Sequence, residues 1–273
     1  MTPAVFIIVT KMFLFWISEW YIVLVVLILM FAGFEAGFRM GIKSPAVRDA
    51  KRRNVVANFQ VGLISLLGLM IAFTFAMAVG RFNDGRALMA EETDALETAY
   101  FRCDLLPDST RMKLHNVLRE YIDIRLLFYQ PRLDESKVSA VNRQTREIQN
   151  ELWSYAPDIT KELPDYQAVV VLESLNKLVN ASNKRYIAME NHVPELILFL
   201  LFLISVLTNV AIGYSCGIAT DRHIFFTILF SFFVCSILVV IMDLDRPRRG
   251  FILVSQESLI ELRKTIEKRH IKV

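Results

Sequence analysis

Four stretches of this chain are long and apolar enough to cross a lipid bilayer. A spanning helix needs about 20 apolar residues, because the hydrocarbon core is about 30 Å thick and a helix rises about 1.5 Å per residue. Residues 61–80 meet this with no charge, 196–215 with one strongly polar side chain, Asn209, and 224–242 run unbroken up to Asp243. Residues 5–38 are less regular, since Lys11, Glu19 and Glu35 interrupt them. The simplest reading is an interfacial stretch before Trp16, then a span over 20–38, with Trp16, Trp20 and Tyr21 as an aromatic belt at headgroup level. A cleaved signal peptide fits less well, because Arg39 and a second span follow almost at once.

Charge is segregated rather than scarce. Charged residues make up 22% of the chain, yet the mean hydropathy is +0.41. A net charge of +3 names no nucleic-acid partner. Residues 39–60 hold six basic residues and one acid, which by the positive-inside rule puts that loop in the cytoplasm. The residues after Met242 hold eight basic and five acidic residues and, four spans implying opposite sides, pull the other way. The three cysteines, Cys103, Cys216 and Cys235, are widely spaced and form no disulfide or zinc pattern.

Between the second and third spans lies a mildly acidic segment. Residues 86–193 carry 14 basic and 17 acidic residues and no glycine. Apolar residues recur at helical spacing, as in Leu114, Val117, Leu118, Tyr121 and Ile122. Prolines punctuate the rhythm. Four helices are expected: one running from the second span to Arg102, then 108–128, 134–155 and 165–191, the last feeding the third span. The fold class is therefore all-α: a polytopic membrane protein with four transmembrane helices and an inserted soluble helical bundle continuous with helices 2 and 3. The expected divisions are 1–60 (N-terminal stretch, first span, basic loop), 61–85 (second span), 86–193 (soluble bundle), 194–243 (third and fourth spans) and 244–273 (basic tail with a short amphipathic helix).

Several strings together carry a resemblance. The second span ends in Ala76-Met77-Ala78-Val79-Gly80-Arg81-Phe82, and Arg86, Glu91-Glu92 and Leu105-Leu106-Pro107 follow. Leu118-Arg119-Glu120-Tyr121 and Arg125 come next, and Asp243-Leu244-Asp245-Arg246-Pro247 with Gly250 closes the fourth span. Over roughly residues 55–265 the chain resembles the prokaryotic bestrophin-like membrane proteins, a domain family of largely unknown function. True bestrophins are pentameric anion channels whose second span lines the pore. The resemblance thus implies a homo-oligomer in a bacterial inner membrane that passes small ions, preferably anions. The acidic calcium clasp of animal bestrophins has no counterpart here, since Arg246, Arg248 and Arg249 follow the two aspartates.

Each candidate site has a plainer structural reading. Gly68, Ala72, Ala76 and Gly80 recur every four residues, as a face for close helix packing or as a pore wall, with Phe73 and Phe75 as a hydrophobic constriction. Arg81 and Arg86 are boundary anchors or, repeated in an oligomer, an anion-attracting ring. The intramembrane polar residues are Glu35, four residues from Arg39, and Asn209. Asp243, Asp245 and Arg246 form a helix stop with an ion pair or hold a cation. His115, His192, His223 and His270 are scattered, no nucleotide-binding or hydrolase motif is present, and no catalytic residue, metal or cofactor is expected. The expected partners are the lipid bilayer, further copies of the chain and small inorganic ions, not nucleic acid. The alternative function is a non-conducting membrane-anchored sensor or scaffold whose bundle binds a partner.

Overall fold

The computed structural model describes residues 19–128, 135–190, 192–245, 252 and 254–270. The expected interfacial stretch before Trp16, and Arg246, lie outside them. The described residues form helices and no strand: α1 (Glu19–Ile42), α2 (Ala50–Arg102), α3 (Asp108–Phe128), α4 (Glu135–Ser154), α5 (Ala156–Glu162), α6 (Asp165–Glu190), α7 (Glu195–Ala219), α8 (Ile224–Asp245) and α9 (Glu257–His270). Short 3-10 turns at Pro45–Arg48 and Cys103–Leu105 follow α1 and α2.

Contacts divide the chain into two units, residues 1–81 with 192–246, and 82–191 with 247–273. The first unit holds the four span candidates. Gly33, Gly37 and Gly41 repeat every four residues on α1 and lie against α7, where Gly41 meets Gly217 and Gly213 lies against the Phe34 backbone. A Cβ on Gly37 would lie 2.1 Å from the Val210 carbonyl oxygen, and one on Gly213 would lie 2.0 Å from that of Phe34. Only hydrogen fits there, so the two backbones touch along the seam. Lipid supplies no hydrophobic drive between helices, and such close packing is what holds spans together. Asn209 sits in the same unit with no exposure. Its Nδ2 donates to the Ser205 carbonyl at 3.1 Å, and its Oδ1 accepts from the Ser231 hydroxyl at 3.1 Å, which ties α7 to α8.

α7 stops at a left-handed residue. Thr220 has φ 59°, its N–H bonds the Gly217 carbonyl at 3.2 Å, and the N–H of Asp221 bonds that of Cys216 at 3.2 Å. Glycine usually takes this position, and a β-branched residue there is strained. His223, φ 37°, opens α8. Two strained residues therefore bracket the turn between the last two spans.

The second unit is a helical bundle with one apolar core, built by Leu114 and Leu118 of α3, Leu152 of α4, Ile159 of α5 and Leu175 and Leu178 of α6. Helix α5 was not expected from the sequence; Pro157 starts it in its first turn, where a missing N–H costs nothing. Helix α9 packs here too, through Leu259, Leu262 and Ile266, and Arg263 pairs with Asp123 at 3.1 Å. Helix α2 runs unbroken for 53 residues, so the second span and the first bundle helix are one element. Helix α6 instead ends at Glu190 and α7 begins after Pro194, which interrupts the expected run into the third span.

Candidate functional site

Helix α2 is the least covered of the four span candidates. Buried residues make up 17% of its most apolar window, against 39%, 28% and 33% for α1, α7 and α8. At 3.6 residues per turn its buried residues Leu67, Thr74 and Ala78 fall on one side, and Gly68, Ala72, Ala76 and Gly80 fall on the opposite side. All four small residues are exposed. A Cβ added to Gly68 or Gly80 would meet nothing within 4 Å. This stripe therefore packs against no other part of the described chain. Phe73, 65% exposed, and Phe75, 40% exposed, flank it on opposite edges, about 160° apart around the helix. Directly after the stripe, Arg81 is half-buried with its Nε unpartnered among the described residues, and Arg86, nearly two turns on, is exposed.

Glu35 serves two arginines. Its Oε1 accepts from Arg39 Nε at 2.8 Å, and its Oε2 from Arg222 Nη1 at 3.2 Å. The Arg222 guanidinium also lies over the Phe38 ring, 4.5 Å from its centre. The i,i+4 pair expected from sequence is thus joined by a cation from 187 residues away.

Asp243 and Asp245 are both buried. Asp245 Oδ1 accepts the Val193 N–H at 2.8 Å, and His192 Nδ1 lies 3.6 Å from Oδ2. One carboxylate therefore pins the end of α8 to the residues that lead into α7. Among the described residues no three His, Cys, Asp or Glu side chains converge as metal ligands.

The bundle hides a charged cluster around Glu92, whose neighbour Glu91 faces solvent, paired with Lys184 at 2.8 Å. Glu92 is buried, accepting from the Tyr121 hydroxyl at 2.5 Å, from Arg125 Nη2 at 3.1 Å and from Arg185 Nη1. Arg185 is 2% exposed. Burial, then the Glu92 charge, push the Tyr121 hydroxyl well above its usual range, so it stays protonated and keeps donating. Nearby, His115 stacks on Tyr100 with ring centres 4.0 Å apart and touches the Tyr100 carbonyl at 3.2 Å. Burial holds its pKa below the ordinary value, outweighing that contact and the charge of Asp104, 3.4 Å away.

Sequence reasoning missed the glycine seam and the Glu92 cluster. The seam had a visible signal, the spacing of Gly33, Gly37 and Gly41. Of the cluster, Glu92, Tyr121 and Arg125 stand in the strings that carry the resemblance, and Arg185 carried no signal.

Helices of this length and apolarity make the chain a multi-pass integral protein of the plasma membrane. Its fold matches crystal structures of two variants of a bacterial bestrophin homologue from Klebsiella pneumoniae. One is 15% identical, with a TM-score of 0.59, covering 89% of this chain and 98% of that one. The other is 14% identical, with a TM-score of 0.61 and the same coverage. A structure described only as a membrane protein gives a TM-score of 0.62 at 14% identity, over 89% of this chain and 97% of that one. No curated protein matches the chain in sequence. The bestrophin-like domain model matches residues 25–259, from α1 to α9, and the chain belongs to the bestrophin-like family.

Proposed function

We propose that this protein assembles from several copies into a channel for small ions, with α2 of each copy facing the axis and anions preferred. The observation that carries this reading is the open stripe of Gly68, Ala72, Ala76 and Gly80. Small residues on a face that the chain's own helices leave bare give room for a conduit, and the flanking Phe73 and Phe75 narrow it by apolar contact. Arg81 and Arg86, repeated around an axis just past the stripe, would raise the local anion concentration. Membership of the bestrophin-like family supports the same arrangement.

The test is ion flux from proteoliposomes holding the full-length protein, with its oligomeric state measured in the same preparation. Chloride efflux that exceeds potassium efflux, and falls in Ala72→Trp, is the expected result. A stable oligomer that passes no ion under any gradient would overturn conduction and favour the anchored scaffold.

A further inference from the structure

The turn between α7 and α8 stands at the mouth of a cleft of about 340 Å³ in the first unit. Gln60 of α2, Ile212 and Cys216 of α7, and His223, Phe226 and Phe230 line it. The lining changes character with depth. Gln60, Cys216 and His223 lie towards the ends of their helices. Phe230 lies two turns beyond His223, about 10 Å along the axis, and Ile212 lies one turn deeper than Cys216. Just outside, Phe225 is 70% exposed. The cleft thus has a polar mouth and, apart from Thr227, whose hydroxyl donates to the His223 carbonyl at 3.4 Å, an apolar floor, between three helices that are each apolar and long enough to span a bilayer.

The segments that flank these helix ends are basic in sequence, although Asp221 Oδ2 lies 3.5 Å from His223 Nδ1 at the mouth itself. Residues 35–53 and 220–223 hold seven basic residues and three acids. Glu35, one of those acids, is already shared by Arg39 and Arg222. Arg53 lies two turns before Gln60 on the same face of α2 and is exposed. The Gln60 side chain makes no hydrogen bond among the described residues, so its amide is available at the mouth.

We infer that this cleft binds an anionic phospholipid. The acyl chain lies against Ile212, Phe226 and Phe230, and the phosphate sits at Gln60 and His223 within the field of Arg53 and Arg222. A lipid fits better than a soluble ligand, because the cleft lies on helices whose surroundings are hydrocarbon. An anionic headgroup fits better than a zwitterionic one, because each basic residue near a lipid surface adds attraction that a neutral headgroup does not return.

The inference stands whether or not the protein conducts. It is tested on delipidated full-length protein in detergent by native mass spectrometry, titrating phosphatidylglycerol against phosphatidylcholine. Tighter binding of phosphatidylglycerol is expected. Arg222→Gln should weaken that lipid about fivefold, and Glu35→Gln, which removes an acid from the mouth, should strengthen it by a similar factor. Ile212→Trp, which fills the floor, should abolish lipid retention while helix content and monodisperse elution stay unchanged. Equal binding of the two lipids would overturn the inference. So would full retention in Ile212→Trp, or dissociation of an oligomer by Ile212→Trp with lipid binding intact, which would assign the cleft to a neighbouring copy. If Arg222→Gln does not fold, Arg53→Gln reads the same charge effect.

Discussion

Two stripes of small residues share one spacing and meet opposite fates. On α1, Gly37 and Gly41 press against α7 until a Cβ on either would overlap a carbonyl oxygen, with Gly33 one step earlier in the row. On α2, Gly68, Ala72, Ala76 and Gly80 repeat at the same interval but are exposed, and a Cβ on Gly68 or Gly80 would meet nothing among the described residues. Small residues every four positions permit close approach but do not specify the approaching surface. In the first case the chain closes on itself; in the second it leaves a face bare. The buried Glu92 cluster and the stacked His115 belong with the closed regions, and substitutions should sort accordingly.

The largest effect is expected at the seam. Gly37→Leu or Gly213→Leu forces α1 and α7 apart, at the upper end of single-substitution costs, about 4–5 kcal/mol or more. Neither variant should yield monodisperse protein in detergent. Gly68→Leu makes the matching change on α2 and should leave the chain folded, with thermal unfolding close to wild type. Collapse of Gly68→Leu to the level of Gly37→Leu would mean that the α2 stripe has a partner within the chain, and the contrast would fail.

The closed class extends to the charged cluster. Glu92→Ala leaves Arg125 and Arg185 buried without their shared carboxylate, and removing one partner of a buried ion pair costs about 3–5 kcal/mol. Chemical denaturation should show the loss as a lower midpoint. Glu91→Ala, next in sequence but paired with Lys184 at the surface, should cost less than about 1 kcal/mol. Equal costs at the two positions would place Glu92 in solvent.

The open class is sharpened by function. Ala72→Trp should leave the unfolding midpoint within about 0.5 kcal/mol of wild type, as surface substitutions usually do, yet change flux severalfold if α2 lines the path. A large change in stability with unchanged flux would move the stripe into the closed class.

Much of this was legible in the sequence, for identifiable reasons. Spans announce themselves because the bilayer demands about 20 apolar residues in a row. Helix ends at Asp108 and Asp165 follow prolines that cannot continue a helix. The identity of partners was not legible. Glu92 looks like any acid on a helix until Arg125 and Arg185 arrive from 33 and 93 residues away. Arg222 reaches Glu35 across 187 residues, and Ser231 reaches Asn209 from the next span. The two glycine stripes could not be ranked at all, because spacing is local information and the opposing surface is not.

The smallest effect is a pH slope from His115. Burial lowers its pKa in the folded protein from the ordinary 6.5, so below about pH 6.5 the unfolded chain takes up a proton that the folded chain refuses. The contribution of neutral His115 is therefore full above pH 6.5. It declines as pH falls towards the lowered value and is flat below it. One group gives at most one proton of slope, about 1.4 kcal/mol per pH unit. His115→Phe keeps a ring on Tyr100 and cannot titrate, so its stability should vary less between pH 7.5 and 5 than that of wild type. A steeper acid loss in His115→Phe would mean that the ring charges in place, with Asp104 outweighing burial, and would remove His115 from the regions the chain closes against water.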